Sequence, residues 1–289
     1  MDSFAAGAIA GITEVITMYP LDVIKTRSQL MVGKSMGTFA SLRNIVKQEG
    51  VGRLYRGILP PILMEAPKRA TKFGANDLWG QFYRKLFQME KNNQSLSILN
   101  GASAGATEAI IVVPFELVKV RLQDKKSAHL YLGTVDCLKK IIKQEGILAL
   151  YNGLEATMMR HIVWNAGYFG VIFQVKARLP AQPEMLNSFI AGAVGGCVGT
   201  VLNTPFDVVK SRIQNSPRTL LPAKYNWSIP SLFIVAREEG FWALYKGFVP
   251  KVLRLGPGGG ILLVVYNSLM EFFRKYKLTN PTGQIPAST

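Results

Sequence analysis

The sequence predicts an all-α membrane protein in which six transmembrane helices form three tandem two-helix repeats around a central cavity. Three observations predict this fold: the composition, a motif that occurs three times, and the apolar stretches that accompany each copy of the motif. Short helices along the membrane surface complete each repeat, and the 289 residues form a single domain. We place the repeats at residues 1–92, 93–183 and 184–280, followed by a tail at 281–289.

The composition is apolar and basic at the same time. Hydrophobic residues make up 48% and charged residues 18% of the chain, and 34 Lys and Arg against 18 Asp and Glu give a net charge of +16. Soluble domains carry about 25% charged residues, and disordered basic segments carry far fewer apolar ones. The composition therefore favours a basic membrane protein. It leaves open whether the anionic partner is nucleic acid, a lipid surface or a small solute.

One motif recurs along the chain at nearly constant spacing. It consists of proline, an acidic residue two positions later, lysine at the fifth position, arginine at the seventh and glutamine at the ninth. Each copy is followed by Glu-Gly and then by a tyrosine two positions before a glycine. A single copy would be a weak signal, but three copies in register indicate structural repeats. The copies contain Pro20, Asp22, Lys25 and Gln29; Pro114, Glu116, Lys119 and Gln123; and Pro205, Asp207, Lys210 and Gln214.

Each repeat contains two apolar stretches, one before the motif proline and one that begins near Ile58, Leu154 or Phe248. Only residues 185–206 are uncharged over the full length of a spanning helix, and the repeat logic extends that assignment to the other stretches. Small residues four positions apart, such as Gly192 and Gly196, allow helices to approach closely in lipid. The sequence therefore predicts two spans per repeat with both termini on one side.

The connectors between the two spans of a repeat hold more than half of the Lys and Arg residues. By the positive-inside rule, connectors 20–57, 114–153 and 205–247 face the interior compartment. Apolar residues at helical spacing predict short amphipathic surface helices at 39–49, 135–145 and 232–239.

The motif residues have clear physical consequences in a helix. Proline removes a backbone hydrogen bond, so we expect Pro20, Pro114 and Pro205 to kink their helices toward a common axis. The acidic residue and the lysine of one motif lie one turn apart and could pair within their own helix. Under threefold symmetry each acid could instead pair with the lysine of the neighbouring repeat, which would close a ring of ion pairs. The ring pairs would be Asp22 with Lys119, Glu116 with Lys210, and Asp207 with Lys25.

The repeated motif resembles that of the mitochondrial carrier family over nearly the whole chain. The resemblance implies a multi-pass protein of the mitochondrial inner membrane in which the ring is the matrix gate, braced from below by Gln29, Gln123 and Gln214. Asn152 departs from the pattern, since a basic residue is usual there. The family also implies cardiolipin as a structural lipid at helix starts near Gly57, Gly153 and Gly247, where backbone N–H groups are free to bind phosphate.

The resemblance further implies a cytoplasmic gate on the second helix of each repeat, but its pattern is degenerate here. The aligned residues are Asp77, Gln174 and Asn267, of which only Asp77 is acidic, and no aligned base is present. Polar bonds would replace ion pairs at this gate. We therefore expect an easily opened barrier on the cytoplasmic side.

The family's substrate contacts correspond to residues at equal distances beyond the three closing glycines. The positions are occupied by Met64 and Glu65, by Arg160 and His161, and by Arg254. Two arginines in one membrane cavity are costly unless they serve an anion, and the planar guanidinium group binds carboxylate in a bidentate manner. His161 either donates to a keto oxygen or packs. Glu65 either pairs with a base on its own helix or couples a proton, and we favour the pair.

The residues alone predict a small dicarboxylate as the substrate. The strings around these positions are similar to those of carriers that exchange 2-oxodicarboxylates, namely 2-oxoadipate and 2-oxoglutarate. A citrate or an oxoglutarate/malate carrier remains the alternative within this class, and a soluble helical-repeat protein that binds anions is the alternative outside it. The residues 256–260, Gly-Pro-Gly-Gly-Gly, either leave room for a longer acid or serve helix packing.

Other functional classes find no support in the sequence. His129 and His161 lack the spacing of metal ligands, and no nucleophile elbow or phosphate loop is present, so we expect neither an enzyme nor a bound metal or cofactor. The basic residues flank apolar spans instead of lining a polar face, which argues against nucleic-acid binding. We expect a monomer.

Overall fold

The computed structural model describes residues 2–33, 36–88, 94–127, 129–178, 184–217 and 223–279, so the predicted tail at 281–289 lies outside it. These ranges contain nine α-helices and no strand, which confirms the predicted fold class. The long helices are α1 (Asp2–Leu30), α3 (Leu59–Phe87), α4 (Gln94–Gln123), α6 (Leu154–Arg178), α7 (Glu184–Asn215) and α9 (Phe248–Thr279). The short helices are α2 (Thr38–Glu49), α5 (Thr134–Glu145) and α8 (Ser228–Glu239), each followed by a 3-10 turn at Val51–Tyr55, Ile147–Tyr151 or Phe241–Tyr245.

The six long helices form a closed ring. Each packs on its neighbours in chain order, and α9 packs on α1 to close the bundle. Helices α1, α4 and α7 also contact one another, at the end that carries α2, α5 and α8. We call this the basic end and the opposite one the terminal end. Helices α1, α4 and α7 run without interruption through their motif prolines, and the predicted kinks remain a prediction.

The outer surface of the bundle is apolar, as expected for helices in lipid. Large hydrophobic side chains such as Leu78, Leu263 and Val264 are exposed along the long helices. Among the described residues three segments are long and apolar enough to cross a membrane: Ala6–Leu30, Gln94–Gln123 and Phe241–Lys275. A window of 18 residues qualifies with up to 2 charged ones, so helices that contain an isolated charge are included.

Each short helix packs on the end of the preceding long helix through equivalent side chains. The contact in every repeat includes one equivalent residue from the long helix, one from the short helix and one from the 3-10 turn. These side chains are buried, so the three basic-end modules have separate hydrophobic cores. The residues are Ile24, Ile45 and Leu54; Val118, Ile141 and Leu150; and Val209, Val235 and Leu244.

The recurring glycines of the second signature are required by the backbone. Gly50 ends α2 with φ at 84°, and Gly57 precedes α3 with φ at 78°. Side-chain-bearing residues rarely adopt such angles, whereas glycine does so without strain. The equivalent glycines of the other two repeats, at 146, 153, 240 and 247, have positive φ as well. The backbone conformation therefore explains why these glycines recur in all three repeats.

Small residues bring neighbouring long helices close together, although in α7 not at the positions that the sequence suggests. A Cβ on Gly105 would lie 2.7 Å from the Cβ of His161, so α4 and α6 touch there. On α7 the close contacts with α6 are made by Gly195 and Gly199 instead of by Gly192 and Gly196. On α7 the close approach is therefore made by a neighbouring glycine pair with the same spacing of four residues. Pattern spacing selects a helix face but does not choose between adjacent glycines.

The second basic residue of each motif ties the repeats to one another at the basic end. Arg27 Nη2 donates to Glu49 Oε2 at 2.8 Å within its own repeat, while its Nε donates to the backbone oxygen of Gln123 at 3.1 Å. Arg121 and Arg212 repeat this arrangement with Glu145 and Glu239, and with the backbone oxygens of Gln214 and Gln29. Each arginine thus links a long helix to its short helix and to the next repeat.

Asn152 makes a link between repeats without carrying a charge. Its side-chain nitrogen donates to the backbone oxygens of Ile213 at 2.9 Å and of Ser216 at 3.1 Å. At the equivalent position of the third repeat, Lys246 Nζ donates to the backbone oxygen of Met31 at 2.8 Å. The short amide side chain of Asn152 therefore links two repeats, as the cation Lys246 does in the third repeat.

Candidate functional site

Three ion pairs connect α1, α4 and α7 at the basic end of the cavity. Lys119 Nζ lies 2.9 Å from Asp22 Oδ2, Lys25 Nζ lies 3.3 Å from Asp207 Oδ2, and Lys210 pairs with Glu116. Each acid therefore pairs with a lysine of another repeat and not with the one on its own helix. Asp22 and Asp207 are almost fully buried, at 6% and 4% exposure, so the pairs close the cavity floor.

The two arginines at the predicted substrate positions lie on this same floor. Arg254 Nη1 donates to Asp22 Oδ1 at 2.5 Å, and its Nη2 donates to Glu14 Oε1 at 3.4 Å. Arg160 Nε lies 3.8 Å from Asp207 Oδ1. Both guanidinium groups thus point toward acids of the ring and not toward lipid.

Pseudo-symmetry explains which acids receive an arginine. Arg254 on α9 reaches Asp22 on the next helix around the ring, and Arg160 on α6 reaches Asp207 on the next helix in the same way. The equivalent position on α3 is occupied by Met64, which is buried and offers no charge. Glu116, on the helix after α3, consequently pairs with Lys210 and with no guanidinium among the described residues.

Glu65 pairs with bases on its own helix. Its Oε1 accepts from Arg69 Nε at 2.7 Å, and its Oε2 lies 3.7 Å from Lys68 Nζ. With 3% exposure the carboxylate is buried between these two cations. This arrangement is the pair favoured from the sequence.

His161 lies between Arg160 and α4. Arg160 Nη2 donates to His161 Nε2 at 3.0 Å, so this ring nitrogen acts as an acceptor. The ring also packs over Gly105, where a side chain would collide with it. In this arrangement the histidine orients Arg160 and fills the gap left by the glycine.

The three motif glutamines are fully buried but make no hydrogen bond to a charged group of the ring. Gln123 Nε2 donates to Tyr19 Oη at 2.9 Å, and Gln29 Oε1 accepts from Ser211 Oγ at 2.7 Å. The side chain of Gln214 has no hydrogen-bond partner among the described residues. Tyr19 in turn lies beneath the ring, with Lys119 Nζ 5.5 Å from its ring centre. Any bracing of the ring by Gln123 therefore acts through Tyr19.

The arrangement matches a known family. The profile of the family described as "Mitochondrial carrier protein" matches residues 1–87, 90–183 and 181–277, one match for each repeat. The chain belongs to the mitochondrial carrier family. It is a multi-pass protein of the mitochondrial inner membrane, and the transport function of that family applies to it.

Three relatives illustrate the similarity of this carrier to other members of the family. A probable mitochondrial 2-oxodicarboxylate carrier of Schizosaccharomyces pombe is 64% identical over 97% of both chains. A mitochondrial citrate transporter D of Aspergillus niger is 61% identical over 95% of this chain and 94% of its own. The mitochondrial 2-oxodicarboxylate carrier of Homo sapiens is 41% identical over 90% of both chains.

At the terminal end of the carrier the predicted cytoplasmic gate residues do not meet. Asp77 accepts a hydrogen bond at 3.1 Å from Gln81 on its own helix. Gln174 and Asn267 are exposed and make no hydrogen bond within the described part of the chain. The carrier is therefore closed at the ring and carries no polar bond between these three positions.

Sequence reasoning missed three residues of the floor. Lys251 Nζ lies 2.7 Å from Asp207 Oδ2, Glu14 accepts from Arg254, and Tyr19 lies under Lys119. Lys251 could have been found, because it lies one helical turn before Arg254 and shares its face. Glu14 precedes its motif proline by the same distance as Glu108 precedes Pro114, which is a further signal.

Proposed function

We propose that the protein is an antiporter that exchanges 2-oxodicarboxylates, such as 2-oxoadipate and 2-oxoglutarate, by alternating access and without covalent chemistry. The observation that carries this proposal is that both arginines face carboxylates on the cavity floor: Arg254 binds Asp22, and Arg160 lies 3.8 Å from Asp207. Guanidinium groups that bind protein carboxylates can bind those of a substrate in the same way. The names of the relatives support the 2-oxodicarboxylate class.

In this mechanism the substrate competes with the ring for the two arginines. A dicarboxylate that enters from the cytoplasmic side binds Arg254 through one end and Arg160 through the other. Asp22 and Asp207 then each lose one cation, which weakens the ion pairs between α1, α4 and α7. The ring would act as the matrix gate, which opens once substrate has replaced the internal carboxylates.

This competition accounts for strict exchange. Without substrate the arginines return to the ring acids and the gate stays closed. A shift from 1:99 to 99:1 in favour of the open state requires about 5.5 kcal/mol of preferential binding. Charge-assisted hydrogen bonds contribute about 1.5–3 kcal/mol each, so this difference corresponds to about two to four more such bonds to substrate in the open state than in the closed state.

On the cytoplasmic side, Asp77, Gln174 and Asn267 would form only polar bonds when that side closes. Such bonds are weaker than the ion pairs of the floor. The carrier should therefore rest with its cavity open toward the cytoplasm. This matches the arrangement described above, in which the ring is formed and these residues are apart.

Exchange by purified protein in liposomes tests the proposal. Vesicles preloaded with 2-oxoglutarate should take up labelled 2-oxoadipate, and vesicles without internal substrate should take up none. Uptake of malate or citrate in the absence of 2-oxoadipate uptake would refute the substrate assignment.

Citrate is the second candidate substrate. It is favoured by the 61% identity to the citrate transporter of Aspergillus niger. Competition between citrate and 2-oxoglutarate in the same liposomes ranks the two, and we expect 2-oxoglutarate to be preferred because two arginines match two carboxylates.

We also propose that anionic lipid, including cardiolipin, binds at the helix starts near Gly57, Gly153 and Gly247 and that the carrier works as a monomer. The backbone N–H groups at helix N-termini support anion binding there. Native mass spectrometry of the protein released from cardiolipin-containing vesicles reports both the lipid and the oligomeric state.

A further inference from the structure

Asp207 carries more cations than either of the other two ring acids. Lys25 from α1, Arg160 from α6 and Lys251 from α9 all lie within ion-pair distance of its carboxylate, at 3.3, 3.8 and 2.7 Å. Asp22 pairs with two cations in the described structure. One carboxylate thus balances three positive charges in a buried corner of the cavity.

The third cation of this corner has no counterpart in the other repeats. Lys251 lies four residues beyond its closing glycine, and the equivalent positions are Pro61 and Thr157, which are uncharged. Only 13% of the Lys251 side chain is exposed. A buried lysine costs free energy and needs an anionic partner. Because the other two repeats form their ring pairs without a cation at this position, Lys251 is not required to build the ring.

One cation at this corner has a buried donor without an acceptor. Arg160 Nε has no hydrogen-bond partner among the described residues and lies 3.8 Å from Asp207 Oδ1. Lys251 Nζ lies 2.7 Å from Asp207 Oδ2, the same oxygen that accepts from Lys25, so three cations share this one carboxylate. Buried donors normally have partners, so this corner has the chemistry of a site that lacks one anionic acceptor.

We propose that Lys251 is a third substrate-binding cation, which shares one carboxylate of the substrate with Arg160 beside Asp207 while Arg254 binds the other carboxylate. This inference rests on the proposed transport of dicarboxylates. It assigns the two ends of the substrate to different corners of the floor, the Asp207 corner and the Asp22 corner. The two corners are adjacent, because Asp22 and Lys25 lie one turn apart on α1.

The assignment also predicts where the ring opens first. When a substrate carboxylate binds Lys251 and Arg160, Asp207 keeps only Lys25, whose Nζ is 3.3 Å away. Asp22 keeps Lys119 at 2.9 Å. The contact between α1 and α7 is then the weakest of the three.

Competition by two monoacids tests the shared carboxylate. In 2-oxopentanoate a methyl group replaces the distal carboxylate of 2-oxoglutarate, and in 4-oxopentanoate a methyl group replaces the carboxylate next to the keto group.

For Lys251→Gln we expect the inhibition constants of 2-oxoglutarate and of one monoacid to rise about tenfold, the effect of one charged hydrogen bond. The other monoacid should stay within about twofold, because it lacks the carboxylate that Lys251 binds. Lys251→Arg should restore most of the loss, and Lys275→Gln, on the exposed end of the same helix, should change neither constant.

A second readout applies when the monoacids compete too weakly to measure. The rise in unfolding temperature caused by 2-oxoglutarate should be smaller in Lys251→Gln than in Lys275→Gln. Addition of citrate should not restore the lost part of this rise.

The outcomes separate this inference from the proposed function. If wild-type protein exchanges no 2-oxodicarboxylate, the proposed function fails and the inference fails with it. If the wild type exchanges 2-oxoglutarate and Lys251→Gln does so with unchanged constants, only the inference is overturned. An equal rise for both monoacids would also overturn it, since that pattern indicates a structural role for Lys251.

Discussion

Arg254 Nη1 lies 2.5 Å from Asp22 Oδ1, so a guanidinium group of the last long helix holds a carboxylate of the first. This contact links the proposed substrate position of the third repeat to the ring of ion pairs. Arg160 and Asp207 form the equivalent but longer ion pair, with Arg160 Nε 3.8 Å from Asp207 Oδ1. In the proposed mechanism, substrate binding and the closed ring thus depend on the same two arginines.

Loss of either arginine should abolish exchange. In Arg160→Ala and Arg254→Ala we expect uptake of labelled 2-oxoadipate into liposomes to fall at least about 100-fold, since each loses a bidentate charged contact. Arg254→Lys should retain part of the activity, because lysine keeps the charge but not the fork. Near-normal uptake by one alanine variant, at equal protein content of the vesicles, would remove that arginine from the site.

Charge reversal should distinguish the ring pairs from one another. The double variant Glu116→Lys with Lys210→Glu should recover more exchange than either single variant, because Glu116 pairs with Lys210 and with no arginine in the described structure. The matching reversal of Asp22 and Lys119 should recover much less, since a lysine at position 22 would face Arg254. The measurement is the initial rate of exchange in liposomes. Equal recovery by both reversals would argue against the contact between Arg254 and Asp22.

The arginine links at the basic end should matter for stability more than for transport chemistry. The Arg121 and Glu145 side chains are 2% and 4% exposed, and removal of one partner leaves a buried charge. We expect Glu145→Gln to lower the free energy of unfolding by about 3–5 kcal/mol, the usual effect of breaking a buried pair. A thermal unfolding assay in detergent measures the change. Lys140→Ala, which breaks an exposed pair with Asp136 on the same short helix, is the control and should have little effect.

The sequence predicted the fold well because each repeat contains the same residues at the positions that its backbone and its ion pairs require. Positive φ angles demand glycine at positions 50 and 57, and the ion-pair ring follows from threefold symmetry applied to Asp22 and Lys119. Both are consequences of periodicity, which a single sequence reveals.

Periodicity could not predict the contacts that break the threefold symmetry of the repeats. Equal counting from the closing glycines gives the depth of Arg160 and Arg254 but not the direction of their side chains. Lys251 has no charged counterpart in the other repeats, so the repeat comparison passes over it. The register of Gly195 on α7 is decided by the shape of α6 at Tyr168, which is likewise not periodic.

Acid should weaken the third repeat at the basic end. Burial alone would raise the pKa of Glu239, but its hydrogen bonds with Arg212 and Lys246 outweigh this effect and lower the pKa from 4.5 to about 2. A lowered pKa in the folded state means that the stabilisation is fully present above pH 4.5 and is lost as the pH falls toward 2. In Glu239→Gln we expect a lower unfolding temperature at neutral pH and a smaller decrease between these two pH values. Glu238→Gln, next to it and exposed, should follow the wild type.

Cys137 should report the unfolding of the second repeat. The thiol is fully buried against Leu117 and Ile141 beneath α4, and burial raises its pKa to about 12. Because the thiolate is the reactive form, a maleimide dye should not label it while the repeat is folded. The other cysteine, Cys197, is exposed, so the experiment uses Cys197→Ser. In that variant dye fluorescence should rise only at the unfolding temperature, and 2-oxoglutarate should shift the rise upward because it binds the folded state. Labelling at low temperature would show that α5 detaches from α4 in the folded carrier and would contradict the packing described here.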